Sequence, residues 1–232
     1  MKMKIMGIIA KWLFILCLPF LLLTASLGWA VNSHWLYNYG FEKYSVVQTP
    51  ELAEFDLEAI ADELIDYFNS GEDYVSITVT SDGEPFELFT PEETIHFKDV
   101  KGLIRLDYWV LGGTLLYVLA YAAVCLFWRW KRYWRQLAWA VFGGACLTLA
   151  FMLALGVGTL LGFDQLFWQF HLLFFSNEFW SAEGYMLLLF TGEFFYDAAL
   201  FCALGSGGLA LIMGGLSGGW LIFTRKRAKV KK

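Results

Sequence analysis

Acidic side chains are missing from three long stretches of this 232-residue chain: before Glu42, between Asp107 and Asp164, and after Asp197. Only 17% of the residues are charged against 58% hydrophobic, an imbalance that excludes an ordinary soluble domain and indicates an integral membrane protein. Charge inside the apolar runs is so sparse that a transporter or ion channel is disfavoured, because such proteins need ionisable groups or broken helices at the midplane. Cysteine is scarce too. Cys17, Cys125, Cys146 and Cys202 all lie within apolar runs, where they act as small apolar residues and form neither a disulfide framework nor a metal motif. Histidine occurs three times, at His34, His96 and His171, with no pair at the His-x-x-x-His spacing of a metal site.

What remains between the charges is four apolar runs: Trp12 to Val31, Tyr108 to Trp128, Leu137 to Phe163 and Ala198 to Phe223. About 20 apolar residues suffice to cross a bilayer as helix, so each run is expected to span. Gly28-Trp29-Ala30 has the composition of a signal-peptide cleavage site, but such peptides carry apolar regions of only about 7–15 residues, which favours an uncleaved first span. Lys2, Lys4 and Lys11, the Arg129–Arg135 cluster, and the run from Arg225 to Lys232 mark the cytoplasmic side by the bias of Lys and Arg. Both acidic segments then face outward, and an acidic outward face excludes nucleic acid as a partner.

The expected architecture is a membrane all-α bundle of four transmembrane helices with a small α+β extracytoplasmic cap. Its parts are a tail and first span (1–31), the cap (32–107), the second span (108–128), a cytoplasmic basic turn (129–136) and the third span (137–163). An outward aromatic segment (164–197), the fourth span (198–223) and a basic tail (224–232) complete it. The small-xxx-small pairs Gly158/Gly162, Gly214/Gly218 and Gly215/Gly219 are expected to let helices approach within one bundle, and they leave the oligomeric state open.

The cap is too short for a core of its own. Asp56 is placed to cap a helix whose apolar face is Leu57, Ile60, Ala61, Leu64, Ile65 and Phe68. Val75, Ile77 and Val79 alternate as a strand, and Asp82-Gly83 offers a turn into a second strand around Phe86 to Phe89. One helix and one hairpin must therefore lean on other apolar surface. Thr90-Pro91-Glu92-Glu93 then starts a new helix, with Thr at the N-cap, Pro first and Glu third. That helix carries His96 one to two turns above the membrane, with Asp99 three residues on along the same face.

The segment from Asp164 to Asp197 is too aromatic for a solvated loop and too polar for a span, and reads as protein in the membrane–water interface. His171 is its polar centre. Taken alone, His96 or His171 reads as a headgroup anchor about as readily as a functional group. His34 reads as interfacial only. Asp99 can orient His96 or pair with Lys98, Lys101 or Arg105, and Asp197 can be an N-terminal helix charge on the fourth span.

Glu93 to Lys101, which contains His96-Phe97-Lys98-Asp99-Val100-Lys101, together with Phe170-His171-Leu172-Leu173-Phe174-Phe175 and the Leu189-Phe190 to Phe194-Phe195-Tyr196-Asp197 stretch, resembles the Lit-type lipoprotein intramolecular transacylases. The resemblance covers the whole plan of four spans, cap and aromatic segment. It departs at Leu172, where the family commonly has Glu, and at Thr191, where it commonly has Pro. The resemblance implies an enzyme of the bacterial cell membrane acting at the outer leaflet. It moves the sn-2 acyl chain of a diacylglyceryl-cysteine lipoprotein to the cysteine α-amine, among membrane lipids. His96 and His171 become the catalytic pair, with Asp99, Lys101 and Asp197 in support.

The chemistry agrees with that implication. An α-amine of pKa about 7.7–8.0 needs a base before it attacks an ester, and the resulting oxyanion needs a donor. Two neutral imidazoles supply one of each. No cofactor or metal is called for, because amine and ester sit on the same molecule and proximity replaces activation. The contrasting expectation is a non-catalytic envelope protein that binds a partner through its acidic cap.

Overall fold

The computed structural model describes residues 2–52, 55–81, 83–127 and 130–230. Among these, four helices are long and apolar enough to cross a membrane, and the chain is a multi-pass membrane protein of predominantly α structure with one small two-stranded sheet. The helices are α1 (Lys2–Val31), α2 (His34–Lys43), α3 (Leu57–Asn69), α4 (Pro91–Phe127), α5 (Trp130–Phe174), α6 (Tyr185–Leu189) and α7 (Gly192–Val230). The strands are β1 (Thr78–Ser81) and β2 (Glu84–Glu87). Two compact units result, one from the segments up to Leu27, Asp107–Val157 and from Phe201 onward, the other from Gly28–Leu106 and Gly158–Leu200.

The first unit is apolar helix packing. Phe14, Ile15, Leu18 and Leu22 of α1 meet Tyr121 and Cys125 of α4, Ala140 and Ala145 of α5, and Ala210 of α7. Small residues set the closeness. A Cβ on Gly144 would stand 2.7 Å from the Leu18 side chain, and one on Gly218 would stand 3.0 Å from Phe142, so both glycines make room for a neighbouring helix. Gly214 faces Ala145 in the same way, whereas a Cβ on Gly215 or Gly219 would meet no neighbouring described residue within 4 Å. The expected Gly214/Gly218 pair therefore packs inside the bundle. Hydroxyls stitch the helices where carbonyls are within reach: Ser206 donates to the Leu22 carbonyl at 3.1 Å and lies 2.9 Å from the Ser26 hydroxyl.

The second unit is richer in elements than one helix and a hairpin. Asp56 caps α3 as expected, accepting from the Ala59 N–H at 3.1 Å, and all six expected apolar residues of α3 are buried. The additional helix α2 begins at an N-cap, Ser33, whose hydroxyl accepts from the Leu36 N–H. Single 3-10 turns at Val46–Gln48 and Pro50–Leu52 follow it. In the hairpin, Thr78 pairs with Glu87 and Ser81 with Glu84, so both strands sit differently from expectation. The alternation of Val75 and Ile77 does appear as burial, ahead of the ladder. Gly83 turns at φ 83°, a left-handed conformation open to glycine, while its expected partner Asp82 lies outside the described residues.

This unit leans on aromatics from later in the chain. Phe55 and Phe86 pack on Tyr185, and Tyr37 and Phe41 on Phe190. Gly40 admits the Phe194 ring so closely that a Cβ there would be 2.3 Å away.

Two expectations about α5 need correction. The basic segment 129–136 is helical from Trp130, not a turn, and Trp128 and Arg129 lie outside the described residues, as do Lys231 and Lys232. At 45 residues, α5 would be roughly 67 Å long if straight, well over the thickness of a bilayer core. Gly162 interrupts it with extended backbone at φ 169° and ψ 84°, so residues 163–174 form a second, separately directed helical segment. Gly158 and Gly162 are thus not a helix-packing pair: Leu166, beyond the kink, covers Gly158.

Candidate active site

The two histidines expected to act together are brought together, within the second unit. Their ring centroids stand 6.0 Å apart at 30°, and each residue is only 6% exposed. His96 comes from the second turn of α4, whose start is secured by a reciprocal cap. The Thr90 hydroxyl accepts from the Glu93 N–H at 3.2 Å, and the Glu93 carboxylate accepts from the Thr90 N–H at 2.9 Å. His171 comes from the segment that the Gly162 kink redirects.

The orientation of His171 is set by its own helix. Its Nδ1 lies 2.7 Å from the Phe167 carbonyl, which can only accept, so Nδ1 carries the proton. The neutral ring then presents a bare Nε2 lone pair. Aromatic rings form the walls: Phe167 at 4.3 Å, Trp180 at 4.8 Å, Phe175 at 5.3 Å and Phe170 at 5.5 Å, centroid to centroid. His96 meets Phe175 edge-on at 4.8 Å, and its buried Nδ1 has no hydrogen-bond partner among the described residues.

Such surroundings disfavour charge on the rings. Burial, reinforced by the neighbouring His171, pushes His96 down to about 4, against a partial opposing pull from Asp99. Burial also lowers His171, and the Phe167 carbonyl offsets part of that. Both imidazoles are therefore neutral at neutral pH, one able to accept a proton and the other able to donate a hydrogen bond.

None of the three supporting residues hydrogen bonds to either imidazole among the described residues. Asp99 does not orient His96; it accepts from the Asn177 side-chain amide at 2.8 Å. Lys101 donates to the Glu72 carbonyl at 2.7 Å and the Ser70 hydroxyl at 3.0 Å above the Tyr67 ring, fastening the end of α3 to α4. Burial and nearby Arg105 hold its ammonium below the ordinary lysine value. Asp197 is no mere helix-terminal charge. Its Oδ2 accepts from Lys43 at 2.5 Å and from the hydroxyls of Tyr44 and Tyr39 at 2.7 and 2.9 Å. Burial alone would raise that carboxyl, but these donors keep it below the usual range. The result ties α7 to α2, and Phe195 of α7 backs Phe167, which backs His171.

His34 stands apart, exposed and paired with Asp62 at 2.6 Å. Among the described residues, no group of three or more His, Cys, Asp or Glu side chains is placed to hold a metal.

Two contributors escape sequence reasoning. Glu93 is completely buried, and its second oxygen accepts from the Met186 N–H at 2.7 Å, clamping the start of α6 onto α4. A capping-box Glu looks complete in sequence, so nothing announces its long-range partner. Asn177 likewise has no motif, although its place two residues before the Trp-bearing turn Phe179–Ser181 is where a loop needs an amide to fold back.

A model of the family described as lipoprotein intramolecular transacylase Lit matches residues 12–195. No curated protein matches the chain. Three solved structures of the membrane integral lipoprotein intramolecular transacylase Lit from Bacillus cereus share its fold. The first is 20% identical with a TM-score of 0.74, covering 96% of this chain and 99% of its own. A histidine-to-arginine variant is 21% identical with a TM-score of 0.70, covering 98% and 96%. A histidine-to-alanine variant is 21% identical with a TM-score of 0.72, covering 97% and 98%.

Proposed function

The chain belongs to the lipoprotein intramolecular transacylase Lit family, and from that membership we propose how its own residues carry out the transfer. The substrate is a diacylglyceryl-cysteine lipoprotein, and the sn-2 acyl chain moves to the cysteine α-amine. The observation that carries this reading is the pair of buried, neutral imidazoles 6.0 Å apart. One tetrahedral centre spans that separation when each ring hydrogen bonds to it at about 2.7–3.0 Å.

His171 is the base. Its Nε2 takes the proton as the amine nitrogen attacks the ester carbonyl, and the Phe167 carbonyl stabilises the imidazolium through Nδ1–H. His96, whose low basicity keeps it neutral, donates its N–H to the oxyanion. The tetrahedral centre collapses as the C–O bond to the glyceryl sn-2 oxygen breaks, and His171 returns its proton to that oxygen. An amide and a free sn-2 hydroxyl result, with no change in mass. Phe167, Phe170, Phe175 and Trp180 exclude water, which directs the acyl group to the amine instead of to hydrolysis.

The bias of Lys and Arg supports cytoplasmic termini, which puts the histidine pair at the outer leaflet of the bacterial cell membrane. Cysteines introduced at Ser81 and Ser176 should be labelled by an impermeant reagent from outside intact cells. Labelling of either only after permeabilisation would reverse the topology.

The reaction is tested by incubating purified protein with a defined diacylated lipoprotein. Fragmentation should give an N-acyl, S-monoacylglyceryl cysteine of unchanged mass. Free fatty acid would indicate a hydrolase, and a requirement for added phospholipid would indicate an intermolecular acyltransferase.

A further inference from the structure

The Asp99 carboxylate of α4 and the Asn177 amide form a bridge outside the histidine pair. Asn177 Nδ2 donates to Asp99 Oδ2 at 2.8 Å, while Asn177 Oδ1 accepts from the Phe179 N–H at 3.1 Å. That second bond starts the 3-10 turn Phe179–Ser181, which the Ser181 hydroxyl reinforces by donating to the Glu178 carbonyl at 2.8 Å. Trp180 sits in the middle of this turn, 4.8 Å from the His171 ring. Phe175, two residues before Asn177, fills the space beside both imidazoles. A single side chain thus reads in two directions, holding α4 with its donor and the Trp180 turn with its acceptor.

We propose that Asn177 is a positioning residue for the transfer: its bridge to Asp99 latches the Phe175–Trp180 wall against the histidine pair, and releasing it opens the wall to lipid and water. Asp99 is thereby the anchor of the latch and acts on His96 only through space. The role rests on the transacylase reading for its activity arm but predicts a change in the imidazoles that needs no substrate.

The chemistry of the bridge supplies a reciprocal test. In Asn177→Asp a carboxylate faces the Asp99 carboxylate, and the donor is gone. In Asp99→Asn the Asn177 amide still finds a carbonyl oxygen. In the swap Asp99→Asn with Asn177→Asp, Asn at 99 donates to Asp at 177, whose other oxygen still accepts from the Phe179 N–H. The expected turnover is a fall of about ten- to a hundredfold in Asn177→Asp, about two- to threefold in Asp99→Asn, and recovery of most of the loss in the swap. The fall should lie in kcat, because the wall orients bound substrate.

The second readout is a nuclear magnetic resonance titration of His96 and His171 in detergent-solubilised protein. The titratable groups facing His96 are His171 and Asp99, and His171 faces His96. With the wall unlatched, water reaches both rings, so their titration midpoints should rise toward the ordinary histidine value in Asn177→Asp and return in the swap. An active wild type alongside a fully active Asn177→Asp with unmoved midpoints overturns the latch and leaves the transacylase reading intact. A swap no better than Asn177→Asp, in activity and in midpoints, overturns it also. An inactive wild type whose midpoints shift and recover as described overturns the transacylase reading while the latch stands.

Discussion

In the unit formed by the segments up to Leu27, Asp107–Val157 and from Phe201 onward, the buried polar side chains among the described residues are Thr24, Ser26, Thr148 and Ser206. In the unit of Gly28–Leu106 and Gly158–Leu200 they are Ser33, Glu93, His96, Lys101, His171 and Asp197. The first set consists of hydroxyls, three of which return a proton to a carbonyl one turn back in their own helix and cost little to bury. The second set is ionisable except for Ser33, and each carboxylate or ammonium in it is answered by donors or acceptors from a different element. Only the imidazoles are left without such an answer from another element, and they are the groups able to become neutral. The two units therefore differ in what they bury, and the proposed chemistry falls in the one with the buried ionisable groups.

The sharpest test of that separation is the histidine pair. His171→Ala and His96→Ala should each lower turnover by about 10²–10⁴-fold, with the double change costing little more, because the two act on one tetrahedral centre. His96→Gln keeps an N–H donor and should lose less than His171→Gln, which keeps no base. Stability should move the opposite way. The folded imidazole of His96 titrates at about 4 against an ordinary 6.5, so between those values the unfolded chain binds more protons. Stability is thus fully present above about pH 6.5 and is lost as the pH falls toward 4. Thermal unfolding in detergent at pH 5 and pH 7.5 should show a gap that shrinks in His96→Ala. Full activity in folded single variants would remove the pair from the mechanism.

Next in size is Glu93. Alanine there strands the buried N–H of Met186 and uncaps α4, each worth about 1–3 kcal/mol. The unfolding midpoint should drop, and turnover with it, since α6 and the His96 helix are held by the same carboxylate. Gly184→Ala should mimic it, because a Cβ there would press on the Glu93 carboxylate. A neutral Gly184→Ala would show that the clamp yields.

In the other unit, Gly144→Ala drives a methyl against Leu18 and should cost about 1–3 kcal/mol, while Gly215→Ala, with open space around it, should cost nothing measurable. Turnover per folded molecule should survive both. A selective loss of turnover at normal stability would break the division between scaffold and chemistry.

What the sequence makes legible divides along the same line. The number of spans, the Asp56 cap and the Thr90–Glu93 box are local chemistry, written in consecutive residues, and they stand as expected. The His96/His171 pairing was visible as two motifs, although their distance was not. The α2 helix is hard to see in the sequence because its aromatics mask its period, and its cap lies in the single hydroxyl of Ser33. The Gly158/Gly162 spacing predicts a packing surface where Gly162 is a kink, two uses of glycine that composition does not separate. Asp99, Asp197 and the second oxygen of Glu93 have partners 78, 154 and 93 residues away, and no window along the chain contains both ends of such a bond.

The smallest expected effect belongs to the third histidine, and it defines the comparison from the outside. His34 lies at the start of α2 in the same unit as the pair, so membership of that unit alone predicts a role in turnover. Its surroundings predict otherwise. It and Asp62 are both 60% exposed, and an ion pair on such a surface is worth roughly 0–1 kcal/mol because water and salt screen it. Its side chain stands in solvent, whereas those of His96 and His171 are buried among aromatic rings. His34→Ala should leave turnover within about twofold and lower the unfolding midpoint slightly at low salt, with the difference fading as salt is added. A loss of turnover comparable to that of His96→Ala would mean that burial among aromatics is not what marks the working histidines, and the assignment of His96 and His171 would lose its physical basis.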